Sequence, residues 1–143
     1  GAMKALSVRQ PWAWLIIRPD VHDPEKRALL RSMGQIKDIE NRAWPAPPQG
    51  RIAIHASRTF DRAGYEWVRE CLPEIEMPTP EQFERGGIVG TVTHGGSVDA
   101  HDSPWFEGPH GHILTEARPC RFVRLPGHLM FFQVPVRAVR YVE

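Results

Sequence analysis

The chain has 143 residues, a formal net charge of +1 and 41% hydrophobic residues. That length suits one domain with a core of its own, and near-neutrality argues against a protein that lives on duplex phosphates. Cys71 and Cys120 are too few for a disulfide scaffold and too far apart for a CxxC site, and no apolar run reaches the ~20 residues of a membrane span, so a cytoplasmic protein with no membrane partner, metal or other cofactor is expected.

Gly1 and Ala2 precede Met3 and read as a tag remnant, which puts a single domain at 3–143. Residues 3–8 read as a first strand. Pro11 suits the first turn of a helix over 11–18, with Trp12, Leu15 and Ile16 on its buried face. The polar segment 20–34 holds a short helical piece started by Pro24 and capped by Gly34, and forms a lid or a decorated loop. "IKDIENRAW" reads as a strand, "PAPPQG" as a loop, and "RIAIHAS" as a strand alternating Ile52 and Ile54 against Ala53 and His55. A second helix over 60–72 carries the stripe Ala63/Gly64, Trp67/Val68, Cys71/Leu72. Thr79 caps a turn holding Glu81 and Gln82. "GGIVGTVTHGGSVD" is a strand whose glycines announce a bulge or a close backbone approach. "AHDSPWFEGPHG" is a loop, and "HILTEA", "CRFVRL" and "HLMFFQVPV" supply the remaining strands. The sum is an α+β fold: a small β-barrel of about six strands flanked by two main helices.

Four stretches carry a resemblance: "LSVRQPWAWLI", "GQIKDIENRAW" followed by "GRIAIHAS", "GGIVGTVT", and "SPWFEGPHGHIL". In this order, over nearly the whole chain, they resemble the ASCH family, and Gly34, Lys37, Glu40 and Arg42 match its G-x-K-x-x-E-x-R pattern. The resemblance implies a PUA-like barrel with a helix-flanked cleft, and an association with RNA or DNA binding. In some members it implies RNA cleavage or amide hydrolysis of acylated cytidine. The amidohydrolase members carry a threonine nucleophile three residues after the motif lysine. Here that position is Glu40, whose carboxylate cannot take over the role of a hydroxyl without a change of mechanism.

The residues themselves point to a polar pocket. Glu40 and Arg42 share a face of a strand, and Lys37 shares theirs only from a preceding turn. An arginine fork and a carboxylate read base edges, and a lysine meets phosphate; the alternative is a rim ion pair. Trp12 reads as pocket wall or as core. Trp105 and Phe106, large aromatics in a Pro/Gly loop, read as a stacking platform for a base or as anchors of the loop. Gln10, His55, Ser57 and Ser103 complete the candidate ligand-binding set. A Ser103/His55/Asp102 triad can be assembled on paper without a nucleophile elbow to support it. His110 and His112 form an H-x-H pair without the acidic or cysteine partners a tight metal site adds. Arg118/Arg121/Arg124 and Arg137/Arg140 read as solvated strand faces.

The expected function is a nucleic-acid or nucleotide-binding module that recognises a base in single-stranded RNA or DNA, or a free nucleoside or nucleotide. The alternative is a hydrolase acting on RNA or on N4-acylated cytidine, with Lys37 and Glu40 as its catalytic residues.

Overall fold

The structure is a computed structural model and describes residues 1–142. Six strands, β1 (Ala2–Gln10), β2 (Ile39–Arg42), β3 (Gly50–Phe60), β4 (Gly87–Val98), β5 (His110–Arg124) and β6 (Phe131–Pro135), form one sheet in the order β2-β5-β4-β3-β1-β6. β1 and β3 run parallel and the other pairs antiparallel. Three α-helices, α1 (Trp12–Ile17), α2 (Pro24–Ser32) and α3 (Arg62–Cys71), accompany it. The fold is thus mixed α+β, a curled half-barrel with β2 and β6 as its edges.

Ala2 lies inside β1 opposite Pro135, and the Gly1 carbonyl accepts from Val136 N–H, so the two leading residues take part in the fold rather than standing outside it. α1 is apolar all round: Ala13 through Ile17 are buried, the pattern of a helix enclosed on every side. Ala13, Ile16 and Ile17 pack with Leu6, Val8, Ile52, Ile54, Val92 and Leu114 inside the curl. Trp14 and Leu15 pack outward with Tyr65, Val68, Phe83 and Trp105. The helix can sit this close because Gly90 lacks a side chain: a Cβ there would lie 2.5 Å from Ile17 Cδ1 and 2.6 Å from the Arg118 carbonyl.

Three expectations change. The buried side of α3 is Tyr65 and Val68, with Leu72 packed beside them, while Trp67 and Cys71 are exposed; the aromatic residue Tyr65 outweighs the small ones in setting the phase. "HILTEA" and "CRFVRL" are one strand, β5, because Pro119 falls opposite Gly90 at a register shift where no ladder donor is required of it. Of the two readings of residues 20–34 the lid falls, while the helical piece started by Pro24 is present as α2. α2 buries none of its residues, and Arg27 donates to the carbonyls of Ile17, Arg18 and Val21, closing the C-terminal end of α1.

β2 and β6 share no ladder. Side chains close the gap instead: the Arg42 guanidinium donates to the Ser7 carbonyl of β1 at 2.8 Å, and the Trp44 ring after β2 meets Phe131 of β6 edge-on with centroids 5.2 Å apart. Among the described residues no helix is long and apolar enough to cross a membrane.

Candidate functional site

A cleft of about 1010 Å³ opens at the end of the sheet where β1, β2 and β3 meet the loop 99–109 and the loop after β5. Its floor is charged. Lys37 lies just before β2, with its N–H bonded to the Leu15 carbonyl at 2.9 Å. Glu40 and Arg42 follow on the strand, the arrangement that side-chain parity demands. Lys37 Nζ stands 3.5 Å from Glu40 Oε1 and donates to the Ile39 carbonyl; Arg42 Nε donates to Glu40 Oε2 at 3.1 Å. Lys37 is only 5% exposed. Two tryptophans box its ammonium, with Nζ 5.3 Å from the Trp12 ring centre and 5.6 Å from that of Trp105, so cation–π attraction and the carboxylate together offset its desolvation.

Trp12 forms one wall. Its indole N–H donates to Asp61 Oδ2 at 2.9 Å, and Asp61 also caps α3 through Gly64 N–H. Burial pushes the Asp61 carboxyl up, but the bonds from Gly64 and Trp12 and the charge of Arg9 outweigh it and hold the group below its ordinary value. Trp105 forms the facing wall. It is 5% exposed, donates from Nε1 to the Gly34 carbonyl and meets Trp12 edge-on. It is therefore a fixed wall and loop anchor, not a free platform. Phe106 does not reach the cleft; it packs over Gly111, where a Cβ would lie 2.6 Å from its ring.

His55 lines the cleft from β3 yet is 2% exposed. A carbonyl can only accept, so the 2.7 Å contact to Leu125 O puts the proton on Nε2, and Nδ1 accepts from Ser7 Oγ–H at 2.9 Å. Burial lowers its pKa. The ring ties the rim loop 125–130 to β1 and β3, and Gly127 passes so close that a Cβ would lie 2.7 Å from His55 Cε1. Ser57 also lines the cleft, its hydroxyl accepting from Thr59 N–H.

Two other candidates serve the scaffold instead. Gln10 takes Trp14 N–H on its oxygen and donates to the Glu84 carbonyl, away from the cleft. Ser103 bonds Asp38 and accepts from Trp105 N–H at 3.1 Å. With Ser103 on Asp38 and His55 on Ser7, the paper triad does not form. His112 of the H-x-H pair turns inward to His94 at 2.8 Å.

Sequence reasoning missed Asn41, which donates to the Trp105 carbonyl and accepts from the N–H groups of Glu107 and Gly108; three bonds from one amide set the loop that carries Trp105. It also missed Ser7, Arg9, Arg58 and the rim residues Trp67, Leu129 and Met130. Its place inside "IENR", between Glu40 and Arg42, could have flagged Asn41, whereas nothing local marks the rim. No protein-family model matches the chain, and no curated protein matches it in sequence.

Proposed function

We propose that the chain is a PUA-like domain of the ASCH kind whose cleft binds a nucleobase, presented by single-stranded RNA or DNA or by a nucleoside or nucleotide. The observation that carries the reading is the Lys37–Glu40–Arg42 chain held on the cleft floor between two tryptophans. A cleft of this volume has the size of a small-ligand site. The Glu40 carboxylate can accept from a base amino group and the guanidinium of Arg42 can donate to ring nitrogen or carbonyl acceptors. Trp12, half-buried, supplies an aromatic ring of the kind bases stack on. A hydrolase is the second reading, favoured by the Ser7 Oγ–His55 Nδ1 contact inside the cleft, which pairs a hydroxyl with a neutral imidazole.

One titration tests both. Tryptophan fluorescence is followed against the four ribonucleosides, short single strands and a duplex, with product analysis on short RNA and N4-acetylcytidine. Saturable single-strand or nucleoside binding is expected, weakened by ~1–3 kcal/mol in Trp12→Ala, with no product formed. Binding confined to duplex with a steep salt dependence overturns the proposal. Turnover that Ser7→Ala abolishes decides for the hydrolase.

A further inference from the structure

Beyond the base-reading floor, we infer that the Arg9/Arg58 end of the cleft is a phosphate subsite, so that the ligand is a phosphorylated nucleotide or a nucleotide within a strand; the inference rests on the base-binding reading only in naming what carries the phosphate. The β1–β3 ladder is regular as far as Val8↔Ala56 and resumes at Gln10↔Phe60. One residue of β1, Arg9, therefore faces three of β3, Ser57, Arg58 and Thr59. Such a bulge re-aims side chains at a sheet end, and here Arg9, Ser57 and Arg58 all line the cleft.

Arg58 is not used up by the fold, and Arg9 only in part. Among the described residues no ion pair involves Arg58. Arg9 stands 3.6 Å from Asp61 Oδ2 with half its side chain exposed, and that oxygen already accepts from Trp12. Arg58, though exposed, runs across Gly86: its Cγ and Nε lie 3.2 Å from where a Cβ there would stand, and the φ of +84° and missing side chain of that glycine leave it a track. Just past this end, Arg62 and Arg85 stack on the Phe60 ring at 5.7 and 5.4 Å, extending the positive potential outward. Lys37 and Arg42 share Glu40. Each end thus sets two cations against one carboxylate, and what distinguishes the Arg9 end is Arg58, a cation with no carboxylate partner among the described residues. Planar forks with free donors match phosphate oxygens bidentately, while the floor keeps its charges for the base.

The test compares each ribonucleoside with its 3′,5′-bisphosphate on the wild-type chain and on Arg9→Gln/Arg58→Gln, by calorimetry at fixed salt. The wild type is expected to bind the bisphosphate about tenfold or more tightly than the nucleoside. The double variant is expected to lose that advantage, keep its nucleoside affinity and unfold at the wild-type temperature. Nucleoside binding with no gain from phosphate, or a gain that survives in the double variant, overturns the subsite and leaves the base reading standing. Bisphosphate binding that the double variant loses, with no nucleoside binding in either chain, keeps the subsite and removes the base reading. No binding of either probe removes both.

Discussion

Glu40 holds the floor of the cleft together, since Lys37 and Arg42 each meet one of its oxygens. Its loss and the loss of Lys37 are not equivalent. Glu40→Gln leaves a buried ammonium without its counter-charge, and such an orphaned charge is costly. Lys37→Met keeps the stem between Trp12 and Trp105 and leaves Glu40 paired with Arg42. Urea denaturation is expected to show a loss of about 3 kcal/mol for Glu40→Gln and about 1 kcal/mol for Lys37→Met. The reverse order would mean that Lys37 is held by the tryptophans and the Ile39 carbonyl rather than by Glu40. The charged triplet was legible in the chain because strand parity is local: it separates Lys37 from the other two and forces it onto a turn. Asn41 was legible as a neighbour of that triplet, but its role was not, since its partners lie 64 to 67 residues away.

At the scale of elements, α3 separates burial from hydrophobicity. Trp67 sits among residues that look like a stripe, yet it is 46% exposed at the cleft rim, while Val68 is fully buried. Trp67→Ser is expected to change stability by no more than about 0.5 kcal/mol, and Val68→Ala to cost about 2 kcal/mol, both read by thermal or urea unfolding. A large loss at Trp67 would put it back in the core and remove it from the rim. The short turn at Pro80–Gln82 was readable from Thr79 and Gln82: the Gln82 side chain accepts from the Thr79 N–H at 2.9 Å, and the Gln82 N–H donates to the Thr79 carbonyl at 2.9 Å. The continuity of β5 was not, because a proline inside a strand is acceptable only where the partner strand is out of register, and the register belongs to the pair.

Across the whole molecule, a buried histidine pair knits β4, β5 and the loop after β2. Gly96 N–H donates to His94 Nδ1 at 3.2 Å, His94 Nε2–H to His112 Nδ1 at 2.8 Å, and His112 Nε2–H to the Trp44 carbonyl at 2.9 Å. Every proton in this relay is spoken for, and adding one sets N–H against N–H. Burial first, then the proximity of His112, pushes the His94 pKa down to about 4; burial also lowers that of His112. Folded values below the unfolded value of 6.5 mean that the unfolded chain binds more protons. Stability is then complete above that unfolded value and falls as pH drops toward about 4. His94 alone contributes a loss of about 2 kcal/mol at pH ~5, above most carboxylate titration. Urea midpoints at neutral pH and at pH ~5 check this, and the drop should shrink in His94→Gln. Equal stability at the two values would show that the pair is not kept neutral.

Because helix and strand periods, prolines, glycines and caps act over a few residues, the sequence by itself determined the α+β class, the run of most elements and the charged triplet before and within β2. What only the tertiary structure decided depends on distant partners. Trp105 is a buried wall because Gly34 and Asn41 receive it, His55 is a tether because Ser7 and Leu125 converge on it, and the gap between β2 and β6 is closed by Arg42 and Trp44 because Ser7 and Phe131 arrive from the chain's two ends. Burial and hydrogen-bond satisfaction belong to groups of residues remote in sequence, and the fold alone brings them together.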